Sequence, residues 1–172
     1  MTLDHFLWLL FVVLFVMYSH LFSQLYLIYH SPHVPFSSTP TFAVAARLVN
    51  CAKYRLPLIR WEKIETCLQN STVYSVRNGR IPYMEMVPTA FVFSPIDNSS
   101  IFLTSKYNRL DIEAQALVVI HECAHTALGV QDLAYVWQTQ FQFLTEREHL
   151  NNADSYSYKV WKLCGNPYSS IY

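Results

Sequence analysis

The chain has 172 residues, with 12 acidic and 12 basic side chains and a sequence pI near 7.0. Charged residues make up 14% of it, with no basic cluster, which argues against nucleic acid as a partner. The length leaves room for one domain of ordinary size and one attached segment.

The segment comes first. Among the first forty residues Asp4 alone is charged, and no Lys or Arg occurs before Arg47. Residues 6–18 are an unbroken apolar and aromatic run, and the mixed continuation to Tyr29 reaches the ~20 residues that span a bilayer. Residues 1–30 therefore read as a transmembrane anchor or signal segment. A cleaved signal would carry a basic start and a small-x-small site close behind its apolar core. There is no such start, and Ala43-Val44-Ala45 lies far downstream, so a retained anchor is favoured over cleavage. A buried helix of a soluble core is the competing reading, supported by the polar interruptions at Ser19, His20, Ser23 and Gln24. Residues 31–40, with Pro32, Pro35, Pro40 and several Ser and Thr, have linker composition, which starts the domain at residue 41 and runs it to 172.

Within the domain, residues 42–54 and 61–70 carry helical apolar spacing, separated by Pro57. Residues 87–94 and 101–107 are rich in β-branched and aromatic side chains. The intervening Pro95-Ile96-Asp97-Asn98 reads as a turn, which predicts an antiparallel hairpin. From Asp111, a residue suited to N-capping, Ile112, Ala116, Val119, Ile120, Cys123 and Ala127 recur at three- and four-residue spacing until Gly129 stops the helix. Residues 136–148 and 152–163 read as two further helices, giving an α+β domain dominated by helix.

The central helix carries His121-Glu122-Cys123-Ala124-His125. Two histidines four apart stack on one helical face and can bind one Zn²⁺, while Glu122 points at the water that completes the coordination. The competing interpretation is a polar stripe on a half-buried helix. A catalytic zinc needs a third protein ligand, and the glycine stop lets the chain fold back so that Asp132 reaches the metal. A third histidine after a Gly would fall at Leu128 and Gln131, where neither residue is present. A glutamate from a later helix would be Glu146 or Glu148, but Leu150 stands where such enzymes need an acid. Asp132 is the better ligand.

These pieces, HECAH at 121–125, GVQDLAY at 129–135 and NADSY at 152–156, preceded by SSIFLTSKYN at 99–108, resemble the aspzincin metallopeptidases, the deuterolysin and lysine-specific metallo-endopeptidase family. The resemblance covers roughly the second half of the chain, and Val130 and Val136 depart from the small residues usual in the family's loop. It implies a zincin-like, mainly helical catalytic domain with a small antiparallel sheet, preceded here by the hydrophobic N-terminal segment. It further implies His121, His125 and Asp132 as zinc ligands, Glu122 as general base, and Tyr135 as a hydrogen-bond donor to the tetrahedral intermediate. Residues 101–105 would form an edge strand that pairs with a peptide substrate. Asp154 would line the pocket for the substrate residue after the scissile bond, although the second acid expected beside it is Ser157. An equally weighted role for Asp154 is to cap its helix or orient a ligand histidine.

Four cysteines suggest an oxidising compartment. The four can make two bridges in three ways; Cys123, between the two histidines, reads as a small buried residue, and a Cys51–Cys67 or a Cys67–Cys164 bridge is compatible with the sequence. Asn70 and Asn98 each begin a glycosylation triplet. The expected protein is a zinc-dependent metallo-endopeptidase acting on peptides or proteins, membrane-anchored and facing outside the cytoplasm, or secreted. The alternative is a membrane-tethered, inactive binding protein of zincin fold, against which an intact Glu122 argues.

Overall fold

The computed structural model describes residues 3–30, 32–55, 59–76, 88–92 and 99–165. Pro57, the predicted turn at 95–98 with the Asn98 triplet, and the outer parts of the strand predicted at 87–94 lie outside the described residues. Among those described, the chain forms α1 (Leu3–His30), β1 (His33–Pro35), α2 (Pro40–Arg55), α3 (Ile59–Asn70), β2 (Thr72–Ser75), β3 (Ala90–Val92), β4 (Ser100–Leu103), α4 (Ile112–Leu128), α5 (Glu146–Leu150) and α6 (Ala153–Cys164). Helix dominates and the sheet is small, so the domain is mixed α+β.

β3 and β4 pair antiparallel, as the predicted hairpin requires, but the sheet they belong to is mixed and not the antiparallel one expected. Its order is β1-β2-β4-β3, with β2 and β4 parallel and the two outer pairs antiparallel. β4 is therefore interior, not the edge strand expected at 101–105, and β3 takes one edge. The reason is legible in hindsight: Ser100, Ile101, Phe102 and Leu103 are all buried, as suits a strand covered on both faces rather than one alternating between core and solvent.

The stretch expected as a linker, 31–40, belongs to the domain. β1 pairs with β2 through Val34 opposite Val73. Phe36 is fully buried, its N–H donating to the Ser71 carbonyl at 2.8 Å. One aromatic side chain inserted beneath α2 and α3 outweighs the polar composition around it, because a buried Phe contributes about 1.5–3 kcal/mol.

α2, α3 and α6 pack around α4, with Leu48, Trp61, Leu68, Ile120 and Val160 fully or almost fully buried between them. Two disulfides cross this bundle: Cys51–Cys164 ties α2 to α6, and Cys67–Cys123 ties α3 to α4. Both pairings differ from the two bridges named from the sequence. Cys123 is buried as expected, yet it is bonded, because α3 and α4 lie side by side and bring its Cα within 5.7 Å of that of Cys67.

Residues 136–148 do not form one helix. A 3₁₀ turn (Thr139–Phe143) is followed by the short α5, which Thr145 starts with a capping box: its hydroxyl accepts from the Glu148 N–H and the Glu148 carboxylate accepts from the Thr145 N–H. That reciprocal cap opens a new helix where apolar spacing alone predicted continuation.

α1 presents apolar side chains outward, including Trp8, Phe11, Phe15 and Met17, all more than 60% exposed, and it makes no extensive packing with another described element. Counted over the described residues alone, no helix is long and apolar enough to cross a membrane.

Candidate metal centre

α4 is set by its ends. Asp111 Oδ1 accepts from the Glu113 and Ala114 N–H groups at 3.0 and 2.8 Å, and Gly129 closes the helix in the left-handed region at φ 65°, its N–H donating to the His125 carbonyl. His121 and His125 sit one turn apart near that end. The left-handed glycine reverses the chain, and the returning loop is fastened to the start of α6. The Gln131 N–H donates to the Asn151 carbonyl at 3.0 Å, and the Gln131 carbonyl accepts from the Ala153 N–H at 2.9 Å. Asn152, fully buried, accepts from the Leu133 and Ala134 N–H groups through Oδ1 and donates to the Ala134 carbonyl through Nδ2. One amide side chain thus satisfies three backbone groups of the loop that carries Asp132.

The result is a convergence of donors. His121 Nε2 lies 3.1 Å from His125 Nε2 and 3.1 Å from Asp132 Oδ1, and His125 Nε2 lies 3.3 Å from the same oxygen. These three residues form the one group among the described residues whose ligand atoms suit a metal ion. With zinc bonds of about 2.0–2.1 Å, tetrahedral ligands stand about 3.3 Å apart, so the donor set fits Zn²⁺ in spacing as well as in chemistry. The remaining ring nitrogens are occupied. His125 Nδ1 donates to the Val130 carbonyl at 2.8 Å, and His121 Nδ1 lies 3.4 Å from Asp154 Oδ1. Such partners fix the tautomer and turn each Nε2 lone pair towards the shared point.

The electrostatics follow from this crowding. Burial disfavours charge on His121, but hydrogen bonds to Asp132 and Asp154 outweigh it and push its pKa up to about 10. His125 is raised against the same burial by Asp132. Asp132, although burial opposes its charge, is held below the usual carboxylate range by the two imidazoles. Burial raises Glu122, with both histidines pulling the other way, and burial followed by the Asp132 charge raises Tyr135.

A cleft of about 530 Å³ opens onto this cluster, lined by His121, Glu122 and Tyr135 from the site, by Pro88, Thr89 and Ala90 at the start of β3, and by the first half of α4. The Tyr135 ring stacks on His121 at 5.9 Å and on Trp137 at 4.6 Å, and its hydroxyl donates to Asp132 Oδ2 at 2.9 Å.

The structure brings together His121, Glu122, His125, Asp132 and Tyr135, all five named from the sequence. Asp154, 2% exposed, stands behind His121, its Oδ2 accepting from the Val136 N–H at 2.6 Å. Glu148 is in the capping box and Glu146 borders a different cavity, so neither joins the ligand set. Sequence reasoning missed Asn152, the Val130 carbonyl and Trp137. A carbonyl leaves no signal in a side-chain pattern, and Asn152 was visible only as a polar residue at a helix start. Comparison with known families, curated proteins and solved structures finds no match.

Proposed function

We propose that this chain is a zinc metallo-endopeptidase of zincin type. The observation that supports it best is the meeting of two imidazole Nε2 atoms and one carboxylate oxygen at 3.1–3.3 Å, beside a buried glutamate on the same cleft. His121, His125 and Asp132 would hold Zn²⁺, which when bound would supply Lewis acidity, lowering the pKa of a water to about 7 and polarising a peptide carbonyl. The chain's own groups do the rest. Glu122, adjacent in sequence to a ligand and raised in pKa by burial, takes the water proton and returns it to the leaving amine. Tyr135 donates its phenolic proton to the developing oxyanion, moving from Asp132, where it now donates. Asp154 and the Val130 carbonyl hold the imidazoles in register.

The same reading attaches the protein to a membrane through the outward apolar side chains of α1, with the disulfide-bonded domain outside the cytoplasm. Fractionation with external protease treatment of intact cells tests this. A soluble cytoplasmic chain would sink it.

Glu122→Ala should keep one zinc per chain and lose nearly all peptidase activity, whereas Asp132→Ala should lose the metal. Tyr135→Phe should lose roughly 10²-fold in kcat with little change in KM. Equal turnover by the wild type and Glu122→Ala would instead favour a binding protein. A metal-free Glu146→Ala or Glu148→Ala would show that the ligand set is misassigned.

A further inference from the structure

We propose that the cleft beside the metal ligands takes a bulky apolar side chain of a peptide substrate, adjacent to the scissile bond, and that Val118 sets this preference. The inference rests on the peptidase reading and names its substrate class. Ala114, Leu117, Val118 and His121 follow one another at three, four and seven residues, so they share a face of α4, and all four line the cleft. The floor of the cleft is thus an apolar stripe that runs from the ligand His121 back to Ala114, about 10 Å at 1.5 Å per residue. Leu110 and Ala90 extend the apolar lining, and the volume of about 530 Å³ admits a large side chain.

The charged groups argue against a cationic occupant. Asp154 reaches the cleft lining, but its side chain is 3% exposed, with one oxygen against His121 Nδ1 and the other accepting from Val136 N–H. Glu122 is committed to proton transfer. Ser157, in the next turn of α6, is neutral, and its hydroxyl donates to the Asp154 carbonyl. The remaining charged residue among the described lining residues is Lys106, which offers no carboxylate to a substrate lysine or arginine. An apolar side chain leaves none of these groups uncompensated, and it covers the exposed parts of Leu110 and Val118.

The test uses zinc-loaded, full-length protein in detergent and an equimolar peptide library, with cleavage sites read by mass spectrometry. Val118→Asp and Val118→Phe are run alongside. Glu122→Gln is titrated with two fluorescent peptides that differ only in Leu against Lys at one position. The wild type should cut beside Leu, Met or Phe at least about 10-fold more often than beside Lys, the scale that hydrophobic pockets reach. Val118→Asp should move the preference towards Lys and Arg, Val118→Phe towards small residues, and Glu122→Gln should bind the Leu peptide about 10-fold more tightly. Cleavage concentrated beside Lys overturns the inference, as does an unchanged preference in both Val118 variants. If the wild type cuts nothing while Glu122→Gln still prefers the Leu peptide, the peptidase reading fails and the apolar cleft stands. Equal binding of the two peptides overturns the cleft assignment itself.

Discussion

Asp154 and the Val130 carbonyl each engage one imidazole at Nδ1, so the orientation of both proposed ligands depends on groups outside the His121, His125 and Asp132 cluster. Removing such a partner typically costs 10–100-fold in metal affinity. Asp154→Asn keeps the volume and an acceptor for Val136 N–H but loses the charge behind His121. It should weaken zinc binding by about that factor with a modest change in melting temperature, as measured by competition with a chromophoric chelator. Unchanged affinity would mean that His121 is oriented by packing alone. The carboxylates of Asp132 and Asp154 govern the response to pH. In the metal-free chain His121 is raised from the ordinary 6.5 to about 10, so its ion pair with Asp132 contributes stability that is fully present below about pH 6.5 and is lost as pH rises towards 10. Zinc must displace that proton. Zinc binding near neutral pH should therefore release protons and strengthen as pH rises, which titration calorimetry in buffers of different ionisation enthalpy reads directly. Binding without proton release would contradict the raised histidine.

Between elements, the two disulfides do different work. Cys67–Cys123 fastens α3 to the turn of α4 that lies between the two ligand histidines, with a sequence separation of 56, while Cys51–Cys164 joins α2 to the end of α6 across 113. Removing either should cost about 2–5 kcal/mol of stability. Only the double replacement of Cys67 and Cys123 by Ala should also weaken zinc binding, because it frees the helix at the site. Equal zinc affinities in the two disulfide variants, measured below their melting temperatures, would count against that. None of this was legible beforehand, since pairing depends on which helices become neighbours and four cysteines allow three connectivities. α4 was legible in full because its cap at Asp111, its apolar spacing and its glycine stop are all local. The meeting of His121, His125 and Asp132 was legible for the same reason, since the three span one helix end and one short loop. β4 was misplaced because its run of four buried residues marks an interior strand, whereas strand propensity alone says nothing of position in a sheet. The loop's anchor, Asn152, lies twenty residues past Asp132, beyond the reach of any local pattern.

For the molecule as a whole, the sequence places the boundary between segment and domain at residue 41, whereas the packing puts it before residue 32. Pro32 accepts from the Ser75 N–H at 2.9 Å, β1 pairs with β2, and Phe36 is fully buried in the main core. Among the described residues, by contrast, α1 has little packing against the domain. A fragment of residues 31–172 should therefore melt at the temperature of the full chain in detergent and bind zinc equally well, while losing the membrane association proposed for α1. A fragment of residues 41–172 gives up the Phe36 ring and one edge of the sheet. Loss of a buried Phe side chain alone costs about 3–5 kcal/mol, a large share of the 5–15 kcal/mol typical of a domain, so this fragment should unfold far more readily. Circular dichroism melts of the two fragments, with zinc content measured in parallel, compare the boundaries directly. Equal melting of both would return residues 31–40 to the role of a tether, and a marked drop for the longer fragment would show that α1 packs on the domain after all.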